Sequence, residues 1–149
     1  MNPRDKFSRH FREAQLNFSR LYTLVLTQAD LTLPQYALLN LLIATGRVPM
    51  THASKKMYIS KPAVTNLVDR LEASRCLKRL AHPKDRRVHL LEIQPKGEQI
   101  VRKVQNHIFQ ILFKTLSRYR TKEQKIIIDF YASLTKMIGA ALNEPKKIK

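Results

Sequence analysis

The chain has 149 residues, 44% of them hydrophobic, which is enough for one packed core and a one-domain length with an appended dimerisation element. Its 28 Lys and Arg against 11 Asp and Glu give a formal charge of +17, which points to a polyanionic partner because neutralising phosphates releases condensed counterions. A single cysteine excludes an internal disulfide framework, and neither a signal-peptide apolar region nor an apolar run of the ~20 residues a membrane helix needs is apparent, so a cytoplasmic protein without a membrane partner is expected.

From Phe7 to Leu26 apolar residues recur at helical spacing: Phe7, Phe11, Ala14, Phe18, Leu21, Tyr22 and Val25. This predicts a long amphipathic helix whose aromatic stripe needs a partner surface. Leu31-Thr32-Leu33-Pro34 ends it, and Thr32 is placed to cap the next helix. That helix, with Tyr36, Leu38, Leu39, Leu41, Leu42 and Ile43, is apolar nearly all round and is expected to be buried. Gly46 and Pro49 bracket a turn. Thr51 to Met57 then reads as a short helix, with Ala53 and Met57 inward and His52, Lys55 and Lys56 outward.

Ser60 is a good N-cap and Pro62 suits a first turn, where its missing N–H costs nothing. The helix they open, Ser60 to Ser74, has Val64, Leu67, Val68 and Leu71 on one face. Lys61, Thr65, Asn66, Asp69 and Arg70 occupy the other. Two short helices, the second polar on its outer face, form a helix-turn-helix pattern. After Arg75 the period changes to two: Leu77, Arg79 and Ala81 alternate with Lys78, Leu80 and His82, and Val88, Leu90 and Glu92 with His89, Leu91 and Ile93. A hairpin with the basic tip His-Pro-Lys-Asp-Arg-Arg follows from this.

Gln94-Pro95 starts a further helix with an inner stripe of Ile100, Val101, Val104, Ile108, Ile111, Leu112 and Leu116. Thr121 with Gln124 resembles a capping box opening the last helix. Its stripe is Ile127, Phe130, Tyr131, Leu134, Met137, Ile138 and Ala141, widened by Ile126 and Ile128, so burial on more than one side is expected. The long terminal helices would expose large apolar faces in a monomer, and self-association resolves this. Among the five histidines, His10, His52, His82, His89 and His107, no two stand four apart on one helix. No nucleophile–base pair or Gly-rich phosphate loop is present either, so no enzyme activity, metal site or cofactor is expected. Cys76 reads as a small buried hydrophobe.

The runs LTLPQYALLNLL, SKPAVTNLVDRLEASRCLKR and HPKDRRVHLLEIQPKGEQI resemble the MarR-type (multiple-antibiotic-resistance regulator) winged-helix family. The motifs that carry this are Val64-Thr65, Leu67-Val68-Asp69-Arg70-Leu71-Glu72, Asp85-Arg86-Arg87 and Gly97, and helix order agrees from about Phe7 to Leu142. Three positions depart from the family pattern: Arg75 stands where a glycine usually closes the recognition helix, Gln94 where a threonine usually caps the next, and Thr51-His52-Ala53 where Glu-Leu-Ala is usual.

The resemblance implies a mainly α fold: a winged helix-turn-helix DNA-binding lobe over 31–95 with a two-stranded β-hairpin wing, dimerisation helices over 5–30 and 96–143, and a basic tail over 144–149. It implies a homodimeric transcriptional repressor on a pseudo-palindromic duplex operator. The helix enters the major groove and the wing tip, Pro83 to Arg87, the minor groove. Lys61, Pro62, Thr65 and Asn66 are then candidates for the major groove, since Asn can bond adenine and Thr can meet a thymine methyl. Arg86 and Arg87 are candidates for the minor groove, one of them pairing instead with Asp85 to stiffen the wing. Lys84, Ser60, Thr51, Lys55 and Arg70 are candidates for phosphate contact, Arg70 having a rival role as an ion-pair partner near Glu72 or Asp69. Relatives bind small aromatic or phenolic anions, for which Arg12, Phe18, Arg20, Tyr22 and Tyr36 are the candidates here. The competing reading is a non-specific architectural DNA-binding protein without effector.

Overall fold

The computed structural model describes residues 2–85 and 87–143. The chain divides into two compact units, Met1–Ile108 and Phe109–Lys149. The elements run α1 (Pro3–Gln28), α2 (Leu33–Thr45), β1 (Val48–Pro49), α3 (Met50–Met57), α4 (Lys61–Ala73), β2 (Leu77–Ala81), β3 (His89–Ile93), α5 (Pro95–Leu116) and α6 (Thr121–Asn143).

In the first unit, α2 supplies the centre of the core: Leu38, Leu39 and Leu42 are buried together with Val64, Val68 and Leu71 of α4 and Val101, Val104 and Ile108 of α5. Each such side chain contributes roughly 1.5–3 kcal/mol by leaving water. Thr32 caps α2 as expected. Its hydroxyl accepts from the Gln35 N–H at 3.4 Å while Gln35 Oε1 accepts from the Thr32 N–H at 2.8 Å, a complete capping box. Helix α1 begins earlier than its apolar period suggests, because Asn2 caps it and Pro3 occupies its first position.

The hairpin of β2 and β3 forms with Arg79 opposite Leu91 and Lys78 opposite Glu92. It is joined by a third antiparallel strand, β1, with Val48 opposite Leu91, so the wing belongs to a sheet of order β1-β3-β2 rather than to a hairpin alone. Two residues, one a proline, carry no readable alternation, and proline is tolerated because β1 is an edge.

The C-terminal ends of α1, α3 and α4 share one device. Asp30, Tyr58 and Arg75 follow these helices in the left-handed region, with φ of 55°, 54° and 60°. After α4, the Cys76 N–H donates to Leu71 O at 2.8 Å and the Arg75 N–H to Glu72 O at 2.9 Å, a Schellman motif. Arg75 therefore does what the usual glycine does, against the Cβ strain of that conformation. Arg75→Gly is expected to stabilise the protein by about 0.5–1 kcal/mol, the relief being offset in part by glycine's greater freedom when unfolded. The midpoint of urea unfolding measures it, and an unchanged or lower midpoint would remove the strain.

In the second unit, the opening of α6 differs from expectation. The cap is Arg120, whose carbonyl accepts the Gln124 N–H and whose N–H donates to Glu123 Oε2 at 2.8 Å; Thr121 is already the first helical residue. Gln124 instead donates from Nε2 to Tyr119 O at 2.8 Å. The expected burial of α6 is also corrected: none of its described residues is buried, with Ile126, Ile128, Phe130, Met137 and Ile138 exposed. By length and composition α6 is apolar enough to cross a membrane, against the sequence expectation of no such run. An amphipathic self-association helix has the same composition. Along α1, Phe7 and Phe11 are exposed and stacked on each other, ring centroids 6.1 Å apart. The tail over 144–149 lies outside the described residues.

Candidate nucleic-acid interface

The sequence around α4 sets both its position and its polarity. Ser54 Oγ donates to Ile59 O at 2.7 Å, fixing the turn between α3 and α4, and Tyr58 provides the left-handed residue within it. Ser60 Oγ accepts from the Ala63 N–H at 3.3 Å, so α4 starts where the sequence places it. Burial of Val64, Val68 and Leu71 then leaves Lys61, Pro62, Thr65 and Asn66 exposed on two adjacent turns. The Thr65 hydroxyl donates back to Lys61 O at 3.1 Å, which leaves its methyl for apolar contact. Thr51 and Lys55 are exposed on α3.

Arg70 is exposed too, but nine positions along α4 from Lys61, about 13 Å at 1.5 Å per residue. There it lines an open groove of about 390 Å³ with Thr27, Asp30, Leu31, Thr32, Gln35 and Ser74. The structure does not bring Arg70 together with the N-terminal patch. Nor is it the ion-pair partner of Asp69 and Glu72.

That partner is Arg79 of β2, which the sequence reading left without a role. Its guanidinium pairs with Asp69 Oδ1 and Glu72 Oε2, and its backbone N–H donates to Glu72 Oε1 at 2.9 Å. The signal was present: an arginine in the inward register between Leu77 and Ala81, facing two carboxylates one helical turn apart. The backbone bond from Arg79, and then its side chain, hold the Glu72 carboxyl below the usual carboxylate range. A depressed folded-state pKa contributes stability above the ordinary Glu range, lost as pH falls through the folded value. Glu72→Gln is therefore expected to lower the urea midpoint near neutral pH, with the gap to wild type closing as pH falls below the ordinary Glu range. A gap of constant size across that range would detach Glu72 from the acid limb.

At the wing tip, Lys84 and Arg87 are exposed. Asp85 acts through the backbone: its Oδ1 accepts the Arg87 N–H at 3.0 Å and its carbonyl the Val88 N–H at 3.0 Å. Arg87 thus meets Asp85 by its main chain rather than its guanidinium, and Arg86 lies outside the described residues. The Lys84 N–H donates to His82 Nδ1 at 3.2 Å. On the outer side of the sheet, Glu92 receives Lys78 Nζ at 2.7 Å and the Arg47 guanidinium, which together hold its carboxyl below the usual range. Cys76 is buried, with Ser74 Oγ 3.3 Å from its sulfur.

The aromatic candidates only partly converge. Tyr22 and Tyr36 have ring centroids 6.0 Å apart, with Tyr36 buried. Burial, then the neighbouring Tyr36, pushes the Tyr22 phenol up, so it stays neutral near pH 7. Tyr22 lines a groove of about 360 Å³ with Ser19, Thr23, Leu26, Thr27, Leu31, Thr32 and Leu33. Phe18 is half-buried, while Arg12 and Arg20 are exposed and do not line that groove. Among the described residues no cluster of His, Cys, Asp and Glu is placed to hold a metal ion.

Residues 29–88, which contain α2, β1, α3, α4, β2 and the wing tip, match the MarR family. The uncharacterized HTH-type transcriptional regulator YsmB of Bacillus subtilis is 30% identical over 111 residues, covering 74% of this chain and 66% of YsmB. A MarR family protein from Bacillus stearothermophilus is similar in structure, with a TM-score of 0.80 and 25% identity over 93% of this chain and 99% of that one. A mutant of S. aureus MepR bound to an oligodeoxyribonucleotide shares the fold at a TM-score of 0.68 and 22% identity, over 90% of this chain and 96% of that one. With the turn, the polar-faced helix and the wing in the family's order, the chain belongs to the MarR family of winged helix-turn-helix transcriptional regulators.

Proposed function

We propose that this DNA-binding regulator reads a two-fold symmetric duplex operator as a homodimer, with Lys61, Thr65 and Asn66 at base edges and the wing tip in the adjoining minor groove. The observation that carries this reading is the exposed patch on the first two turns of α4, fixed to the wing strand by Arg79. MepR, of the same fold, is seen with an oligodeoxyribonucleotide. The exposed apolar residues of α1 and α6 support assembly with a second copy. Selection of bound sequences from random DNA tests it. The expected product is a symmetric site with half-sites about one helical turn apart. Recovery of no preferred sequence would favour the architectural reading instead.

On this reading the protein represses by occupying its operator, and a phenolic ligand preferring the DNA-incompetent form would release it. The groove beside Tyr22 supports such a ligand through its hydroxyl and aliphatic lining, although that lining contains no cation to meet an anion. Titration with salicylate, read as operator affinity and thermal stability, distinguishes a regulator with an effector from one without.

A further inference from the structure

The family's DNA-reading elements leave part of the positive charge unaccounted for. In the second unit, the turn between α5 and α6 carries Arg118 and Arg120, and the helix ends on either side of it carry Lys114, Lys122 and Lys125, all five exposed. Glu123, the acidic residue within that stretch, has its carboxylate oxygen Oε2 engaged by the Arg120 N–H. Among the described residues none of the five cations takes part in an ion pair. The turn that displays them is tied down by the Ser117 N–H to Phe113 O at 2.9 Å, the Tyr119 N–H to Leu116 O at 3.1 Å and Gln124 Nε2 to Tyr119 O at 2.8 Å.

The placement of these charges works against the local structure. Lys114 and Arg118 sit near the C-terminal end of α5, where a cation meets the negative end of the helix dipole and is favourable. Arg120 is the cap of α6 and Lys122 its second residue, so two cations stand at the positive end of that dipole, with Lys125 just beyond the first turn. Glu123 offsets one of them. A folding requirement does not call for the remainder, and a conflict between local preference and the residues present marks a functional surface.

We propose that the α5–α6 turn is a second, sequence-independent binding surface for the phosphate backbone of duplex DNA, separate from α4 and the wing. A membrane surface fits less well. An interfacial helix strings its cations along the whole polar face, whereas here they gather at one end of α6, followed on that helix by Asp129 and only Lys136. A compact cluster suits a narrow line of phosphates.

The test uses the full chain and its triple variant Arg120→Gln, Lys122→Gln and Lys125→Gln. Removing charges that oppose the dipole does not threaten α6, so loss of folding is not the expected confusion, and circular dichroism checks it. Two random-sequence duplexes carrying donor and acceptor dyes report bridging by energy transfer, and binding of one duplex across a salt series reports the number of phosphates engaged. Wild type is expected to bridge. The variant is expected to lose bridging and to lower the slope of log affinity against log salt by about 2 to 3, since each phosphate contributes roughly 0.9. Equal slopes and equal bridging in the two proteins would overturn the proposal. So would binding of phosphatidylserine-containing vesicles that the variant loses while its duplex slope stays unchanged, which would assign the cations to a membrane.

Discussion

Gly97→Ala is expected to destabilise the protein by about 2–3 kcal/mol, the upper part of the range for overpacking. A Cβ at that position would lie 2.3 Å from the Cys76 carbonyl oxygen and 3.1 Å from Ile93 Cγ1. The first contact is with backbone, which cannot rotate away. That oxygen also accepts the Gln94 N–H at 2.9 Å, so moving it strains the joint between β2 and the start of α5. Cys76 in turn closes α4 through its bond to Leu71 O, so the disturbance reaches the end of α4. A shift of the urea midpoint at unchanged slope measures the cost. A midpoint equal to wild type would mean that α5 moves off the sheet without penalty.

The second large effect is on binding. Asn66→Ala is expected to weaken binding to the selected operator by roughly 1–3 kcal/mol, about 5- to 150-fold, with little change on unrelated duplexes. Asn66 is exposed on α4, and truncating it leaves the buried Val64 and Val68 undisturbed, so stability is expected to hold. Equal losses on operator and random DNA would show that the residue contacts backbone rather than bases, and the base-reading assignment would fall.

Much of the reading lobe was legible in the chain because local and global preferences agree there. Ser60, Pro62 and the Val64-Val68-Leu71 stripe specify α4 from its cap to its buried face, and the period-two runs specify β2 and β3. Two features escaped for physical reasons. Strand β1 owes its conformation to pairing with Leu90 and Leu91 some forty residues away, which no local period encodes. Arg79 was visible as an inward-facing cation, but its partners on α4 become neighbours only once the sheet packs against that helix. The expected capping box at Thr121 does not form because the helix starts one residue earlier, where Glu123 reaches back to the Arg120 N–H and makes only the carboxylate half of a box, arginine having no side-chain acceptor. The exposed stripe of α6 has a different origin, since its apolar pattern reports a surface to be covered and not which chain covers it.

The Arg79 clamp has a consequence for the DNA rather than for the protein. With α4 and β2 joined through Asp69 and Glu72, their spacing is a property of the protein, and on the proposed reading so is the distance from a major-groove helix to the neighbouring wing. A duplex that presents its grooves at another spacing must bend or narrow to fit. Flexible pyrimidine–purine steps and narrow A-tracts would accommodate this at different energies. An operator for this protein would then carry base preferences at positions that no side chain touches, set by how readily each sequence takes the shape the clamp demands.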